Sequence, residues 1–321
     1  MKIWLVRIFW LILLIGLLAW AIVAAPLAEI WESLKQLHFW QIGILLVVNS
    51  AAIVFITLRW WLIIRAESAK IPFIPLIGYR LAAFGVSYFT PGPQVGGEPL
   101  QVLYLQKHHQ LTYARSTAIV IIDKLVEFLV NILFLAVGLF VILQHRLLPL
   151  NDSQLFGSLA PLLVLLLIPP LHVTLLFLGK HPLSAIAGFI QTRIGRRKFL
   201  RLMIVSEHLA GTFTRRHFRA MIGAIFTSAL AMTCMWVEYW MMARFISIDL
   251  TGVQALAGLT FVQLAFMVPL PAGLGALEAS QVFIIGAMGF PPAAGLTMSL
   301  LMRGRDILFG GLGLIRAGKL Q

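Results

Sequence analysis

Long apolar stretches separated by short polar links make up most of the chain. A helix that crosses a bilayer needs about 20 mainly apolar residues, and six stretches reach that length. They are residues 4–25, 39–64, 112–143, 155–178, 220–246 and 291–315. The pattern predicts an all-α polytopic membrane protein with about six full spans, in a single transmembrane domain that covers residues 1–321.

The first stretch also has features of a secretory signal peptide, because basic residues precede the apolar run and small residues end it. The run covers residues 8–25, which is 18 residues. The apolar region of a signal peptide usually has about 7–15 residues. We therefore interpret this stretch as an uncleaved first span.

Two further apolar regions are broken by proline and glycine. Their letters are TPGPQVGGEP at residues 90–99 and PLPAGLGALE at residues 269–278. Proline lacks the backbone donor that a helix needs, and glycine adopts left-handed conformations without strain. Irregular backbone at membrane depth is tolerated only inside protein or beside water. We predict two re-entrant broken-helix hairpins, an arrangement that marks substrate sites in transporters.

The two broken segments belong to a weak internal repeat with halves at about residues 39–143 and 218–317. A shift of 179 positions superposes the two halves. Lys and Arg mark cytoplasmic loops, and their distribution gives the two copies opposite orientations. The sequence therefore predicts an inverted repeat. The shift places residues of similar charge on one another: Arg65 on Arg244, Lys124 on Arg303 and Glu127 on Asp306.

Composition agrees with a membrane protein, since 60% of residues are hydrophobic and 12% are charged, against about 25% charged in soluble domains. The net charge is +13, but much of the excess lies beside apolar spans, so we predict no nucleic-acid partner. Basic residues near both ends place the N- and C-termini in the cytoplasm, and we expect a bacterial inner-membrane protein.

Residues 180–219 form the one long polar region and carry nine Lys or Arg against one acid, Glu207. Apolar residues are interleaved with the basic ones. This pattern predicts cytoplasmic amphipathic helices that lie on the anionic lipids of the inner leaflet. The alternative is an ordinary positive-inside loop with no partner of its own.

Charged residues inside spans are costly and face a partner or a cavity. One interpretation is internal pairing of Lys124 with Glu127 and of Arg303 with Asp306, three positions apart on one helix face. For Arg303, Arg305 and Lys124 we favour substrate binding, because a lipid phosphate would supply bidentate counter-charge that Asp306 alone lacks. The acids are candidates for charge pairing or proton coupling: Asp123, Glu127, Glu238 and Asp306.

Each broken segment also carries a glutamate, Glu98 or Glu278. It either caps amides that the break leaves free, or contacts a cationic or hydroxyl-bearing headgroup or a proton. Neighbouring glycine amides are candidates for binding an anion: Gly96, Gly97, Gly273 and Gly275. The sequence has one cysteine and no nucleotide-binding, metal-binding or catalytic motif, so we predict no catalytic residue, no metal and no cofactor.

Several of these stretches together resemble the flippase-like family typified by the transmembrane region of lysylphosphatidylglycerol synthase. They are RWWLIIRA (59–66), FTPGPQVGGEPLQ (89–101), the Asp123-Lys124 helix, PLPAGLGALEAS (269–280) and the Arg303 helix. The resemblance covers nearly the whole chain. It implies a membrane region that moves a lipid headgroup between leaflets, with Glu98, Glu278, Arg303 and the glycine loops lining its cavity. The sequence ends at Gln321 without the synthase's soluble domain, so we expect no lipid lysinylation.

Three functions remain to be distinguished. The favoured one is a translocator that moves a phospholipid or lipid-linked headgroup through a polar cavity between the two hairpins. The second is a membrane enzyme acting on lipid-linked substrates, which would modify a lipid covalently. The third is a non-transporting scaffold for lipid-pathway enzymes, which would use residues 180–219.

Overall fold

A computed structural model describes residues 35, 37–67, 70–89, 96–148, 166–168, 170–194, 198–268 and 270–318. This part of the chain is helical and contains no strand. Its helices are α1 (Phe39–Ala66), α2 (Phe73–Phe89), α3 (Glu98–His109), α4 (Tyr113–Gln144), α5 (Pro182–Ile194), α6 (Lys198–Arg216), α7 (Phe218–Phe245), α8 (Gly252–Met267), α9 (Ala276–Ala287) and α10 (Pro292–Gly318). A 3₁₀ turn, Pro271–Gly273, lies between α8 and α9.

Three described helical stretches are long and apolar enough to span a membrane: α1, Arg115–Gln144 within α4, and α7. A fourth span is possible if Leu166–Phe177 and Pro182–Arg193, which meet at 97°, count as one bent span. Helix α10 is 27 residues long but more polar, because every stretch of spanning length includes Arg303, Arg305 and Asp306. The predicted span at 4–25 lies outside the described residues.

Short helices flank both broken segments, and three of the four are apolar: α2, α8 and α9. Helices α2 and α3 flank the first break, of which residues 90–95 lie outside the described part. Helices α8 and α9 flank the second. There Ala272 has a φ of 50° and Gly275 a φ of 77°, in the left-handed region that a regular helix does not use. The second segment is thus a true interruption of the helix.

The helices of the first half recur in the second half at a nearly constant offset. The first and last residues of α7 each lie 179 positions after those of α1. Helices α8 and α10 begin 179 positions after α2 and α4, and α9 begins 178 positions after α3. The offset inferred from residue types is therefore also the offset of the helix boundaries.

Packing contacts recur with the same offset. Helix α1 packs along α7, its own counterpart. Helix α2 packs against α10, and the equivalent pair, α8 and α4, is also in contact. Two apolar cores result: one is centred on α1 to α3 with the first part of α4, and the other on α7 to α10 with the second part of α4.

The basic segment folds into α5 and α6, which pack against each other. Helix α5 exposes Leu183, Ile186 and Phe189 on its surface. The buried Glu207 of α6 accepts hydrogen bonds from the backbone amides of Leu183 and Ser184 at the start of α5. The described residues of this segment are therefore mainly helical, with an apolar surface on α5.

The contact between α2 and α10 depends on glycine. A Cβ added to Gly313 would collide with the backbone oxygen of Leu81, so we expect Gly313→Ala to push the helices apart and cost about 1–3 kcal/mol of stability. Gly311 has nothing within 4 Å of such a Cβ, and Gly311→Ala is the matched control on the same helix. Thermal unfolding in detergent measures both, and equal midpoints would contradict the prediction.

Candidate functional site

The first charged cluster joins α1, α2 and α4. Arg59 donates from Nε to Asp123 Oδ1 at 2.6 Å and from Nη2 to Glu127 Oε2 at 2.6 Å. Arg80 donates to the same two acids, at 2.8 and 2.9 Å. Asp123 and Glu127 lie one turn apart on α4, so both carboxylates reach both guanidinium groups. The cluster ties three helices together around buried charge.

Lys124 connects this cluster to the first broken segment. Its Nζ lies 2.8 Å from Glu127 Oε1 and 3.1 Å from Glu98 Oε1. Glu98 in turn accepts a hydrogen bond from the backbone amide of Gly96 at 2.7 Å. Glu98 therefore both caps the broken backbone and pairs with a cation on α4. Lys124 and Glu98 thus extend the group described above, and we call the whole set the first cluster. Its members are Arg59, Arg80, Glu98, Asp123, Lys124 and Glu127.

The second broken segment is held in a similar way by Arg303 of α10. Its guanidinium forms a two-point ion pair with Glu278, and Nη2 lies 2.9 Å from Glu278 Oε2. The same guanidinium donates to the carbonyl oxygens of Ala272 at 3.1 Å and Gly273 at 3.3 Å. Glu278 Oε2 also accepts from the amide of Gly275 at 2.9 Å. Arg303 thus holds carbonyls that the interrupted helix leaves free.

Arg305 lies beside this pair and binds two other acids. It donates to Glu238 Oε2 of α7 at 2.8 Å and to Asp306 Oδ1 at 2.9 Å. Asn49 of α1 donates to the same Glu238 oxygen at 2.9 Å. These residues, together with the pair of Arg303 and Glu278, form what we call the second cluster. Its members are Asn49, Glu238, Glu278, Arg303, Arg305 and Asp306.

Two neighbouring residues of α2 link the broken segments. Ser87 Oγ accepts a hydrogen bond from the amide of Gly97 at 2.8 Å. The hydroxyl of Tyr88 lies close to the guanidinium of Arg303, which holds the second segment. Helix α2 also contacts the 3₁₀ turn Pro271–Gly273 directly. The end of α2 therefore lies between the two broken segments and brings them into one region of the molecule.

The geometry changes the interpretation of several candidate residues. Lys124 forms the pair with Glu127 that their spacing predicts. Arg303 pairs with Glu278 instead of Asp306, and Asp306 pairs with Arg305. The missing counter-charge that a lipid phosphate was expected to supply is present as protein carboxylates. Glu98 and Glu278 adopt the capping role that was one of their two interpretations.

The glycine amides that were candidates for binding an anion also have partners within the protein. The amides of Gly96 and Gly275 are bound by glutamate, and the amide of Gly97 is bound by Ser87. The amide of Gly273 donates to the carbonyl of Leu270 at 3.0 Å. All four amides therefore have protein acceptors in this structure. A lipid anion would bind them only after displacing those acceptors.

Arg59 is not among the candidate residues named from the sequence, because an arginine near a helix end is usually explained by its reaching the membrane surface. It is instead only 2% exposed and binds two acids. The repeat offset carried a usable signal, because it places Arg59 on Glu238 and Asn49 on Ser228. The hydrogen bond from Asn49 to Glu238 has its counterpart in that from Arg59 to Ser228, at 3.3 Å.

The exposure of the charged side chains in the two clusters ranges from 0% for Asp123 to 26% for Glu127. The side chains of Asp123 and Glu238 are 0% and 1% exposed and hold helices together. Lys124 and Glu98 are 23% and 19% exposed, and Glu278 is 15% exposed, so these residues are accessible from outside the protein. Among the described residues no group of His, Cys, Asp and Glu is arranged to hold a metal ion. The accessible groups are suited to exchanging one charged partner for another.

Comparison with known proteins gives one match. The family described as the lysylphosphatidylglycerol synthase TM region matches residues 6–312. No curated protein and no solved structure matches the chain. The match covers nearly the whole chain and confirms the resemblance that the broken segments and charged helices indicated. This membrane-embedded chain belongs to the family of the lysylphosphatidylglycerol synthase transmembrane region.

Proposed function

We propose that this protein is a translocator of the bacterial inner membrane that moves a phospholipid or lipid-linked headgroup between leaflets. The observation that carries the proposal is the way both broken segments are held. In each, a glutamate caps a glycine amide and pairs with a cation on a long helix: Glu98 with Lys124, and Glu278 with Arg303. Broken helices that hold charge at membrane depth are typical of transporter substrate sites.

The two halves are proposed to form an inverted repeat, with each broken segment a re-entrant hairpin. The shared offset of helix boundaries supports a repeat. So do the matching contacts of α2 with α10 and of α8 with α4. The distribution of basic residues places the two copies in opposite orientations and both termini in the cytoplasm. Segments with opposite orientation reach the middle of the bilayer from opposite sides, where the end of α2 joins them.

Transport requires that the internal ion pairs open, and the proposed mechanism is an exchange of partners. A headgroup phosphate replaces Glu278 on Arg303, because a guanidinium binds a phosphate as it binds a carboxylate, by two parallel hydrogen bonds. Glu278 keeps the amide of Gly275 as a donor. Lys124 attracts the same anion from the other segment, and Glu98 is freed to bind a cationic or hydroxyl-bearing part of the headgroup. The acyl chains remain in lipid.

The other candidate residues support this exchange. Arg305 adds positive charge beside Arg303, while the glycine amides bind an anion once their protein acceptors have moved. The acids between helices keep the frame in place: Asp123, Glu127, Glu238 and Asp306. The basic segment at 180–219 binds anionic lipids of the inner leaflet through its Lys and Arg residues. Family membership relates the chain to membrane phospholipids and is consistent with these roles.

Reconstitution tests the proposal. The protein is placed in vesicles of phosphatidylethanolamine and phosphatidylglycerol with a trace of head-labelled fluorescent phosphatidylglycerol. A membrane-impermeant quencher then reports how fast the label changes leaflet. We expect faster exchange than in protein-free vesicles. Mass spectrometry of lipids retained by the purified protein guides the choice of further labelled headgroups.

The control is Arg316→Gln, which removes an exposed arginine near the end of α10 and should leave exchange unchanged. Exchange no faster than in protein-free vesicles, for every retained lipid, would overturn the proposal. A covalently altered lipid after incubation would favour the membrane-enzyme alternative instead.

A further inference from the structure

Glu238 carries a buried carboxylate oxygen that lacks a partner among the described residues. Its Oε2 accepts from Asn49 and Arg305, but its Oε1 is buried without a hydrogen bond. The side chain is 1% exposed. An ionised carboxylate normally uses both oxygens as acceptors, and burying a charged oxygen without a donor is costly.

The charges around Glu238 do not balance. The second cluster has two cations, Arg303 and Arg305, and three acids: Glu238, Glu278 and Asp306. Glu278 already occupies Arg303 at two points. Arg305 is therefore shared by Glu238 and Asp306, and one negative charge is left over. The first cluster, by contrast, contains three cations and three acids.

No other helix packed against α7 supplies the missing cation within its described residues. Helix α1 presents the neutral Asn49, because Arg59 belongs to the first cluster. Helix α8 contains no ionisable residue. Asp123, Lys124 and Glu127 of α4 are paired in the first cluster, and Arg115 of α4 lies beside Glu67. Arg215 and Arg216 of α6 precede the start of α7, about 30 Å along the helix from Glu238. On α7 itself the ionisable residues nearest in sequence to Glu238 are Cys234 and Tyr239, and Arg244 is paired with Asp249.

We propose that Glu238 binds an exchangeable proton, which it shares with Asp306 across Arg305. A proton fits better than a metal ion, since one orphan oxygen is available and no metal-holding group exists among the described residues. Protonation restores the balance of two cations and two anions in the second cluster. The geometry therefore assigns a proton site directly beside the Arg303–Glu278 pair, which holds the second broken segment in place.

The proton site couples to the anion site if the proposed function holds, and this step rests on it. A phosphate that enters beside Arg303 adds negative charge to a cluster that already has an excess. It therefore strengthens proton binding at Glu238, and by reciprocity the bound proton strengthens anion binding. Lipid and proton would then move together, and a pH gradient would drive the lipid to one leaflet.

Infrared difference spectroscopy of purified protein in detergent tests the proton site without any transport. We expect the C=O stretch of a protonated carboxylic acid at neutral pH, lost in Glu238→Gln and also in Asp306→Asn, because removing either acid balances the charge. The control Asp249→Asn alters an exposed loop carboxylate and should keep the band. Absence of the band in the wild type, or its persistence in Glu238→Gln, would overturn the proposal.

A second measurement uses the same fluorescent vesicles with a pH difference across the membrane. With one proton per lipid, one pH unit should displace the leaflet distribution of labelled phosphatidylglycerol by up to about tenfold, and Glu238→Gln should abolish the displacement. If lipid exchanges between leaflets but the pH difference does not displace its distribution and no infrared band is seen, the proton site is refuted and the proposed translocator function stands. An infrared band without exchange of any lipid refutes the translocator and leaves the proton site intact.

Discussion

Replacing Arg59 by glutamine is expected to cost about 3–5 kcal/mol of stability, the usual effect of breaking a buried ion pair. The side chain of Arg59 is 3% exposed, and its guanidinium binds Asp123 and Glu127. Without it, the buried Asp123 would keep only Arg80 as a cationic partner, while Glu127 would keep Arg80 and Lys124. The midpoint of thermal unfolding in detergent should fall by about 5–10 °C, as expected for a chain of this size.

A matched control lies on the same helix. Arg65 of α1 is exposed and its guanidinium lies over the ring of Trp61, so Arg65→Gln should change stability by less than about 0.5 kcal/mol. Adding Asp123→Asn to Arg59→Gln should recover part of the loss, because it removes one of the stranded charges. A thermal midpoint for Arg59→Gln equal to that of the control would contradict the buried-pair explanation.

Hydrophobic patterning was enough to locate the long helices. The stretches predicted at 39–64 and 220–246 correspond to α1 and α7, within a few residues at each end. Such helices are determined by local composition, because a bilayer span needs a long apolar run wherever it packs. The predicted sixth span is less clear. Helix α10 has the length, but its three charges make it depend on other helices for burial.

The breaks were also predictable, since proline and glycine impose their backbone effects locally. The second break has the expected left-handed residues. What the sequence could not fix was which charges meet. Glu98 pairs with Lys124 on α4, and Glu278 with Arg303 on α10, across 26 and 25 positions of chain. Such pairs depend on how helices cross, which no local pattern determines.

The ion pairs of Arg59 also could not be predicted from local sequence. One arginine near a helix end, taken alone, is most simply explained by contact with the membrane surface. Only the position of α4 brings Asp123 and Glu127 to it. Ser87 and Tyr88 were passed over because a serine and a tyrosine in an apolar helix carry no distinctive signal. Their importance comes from lying between two segments that are far apart in sequence.

Replacing Arg303 by glutamine is expected to slow lipid exchange by about ten- to 100-fold. A charge-assisted hydrogen-bonded contact is worth about 1.5–3 kcal/mol, and each 1.4 kcal/mol is a factor of about ten. The same change also strands Glu278 and releases the carbonyls of Ala272 and Gly273. A loss of exchange in the single variant therefore mixes weaker headgroup binding with a weaker fold, and a second variant has to separate them.

The double variant Glu278→Gln with Arg303→Gln separates the two effects. It replaces the ion pair by two neutral amides that can hydrogen-bond to each other, so the part of the lost stability that came from stranding the Glu278 carboxylate should return. Exchange should not return, because the cation proposed to bind the headgroup is still absent. Leaflet exchange and thermal midpoint are measured on the same preparations, with Arg316→Gln as the control. Recovery of exchange together with stability would mean that Arg303 only supports the broken segment, and the headgroup would then have to bind elsewhere.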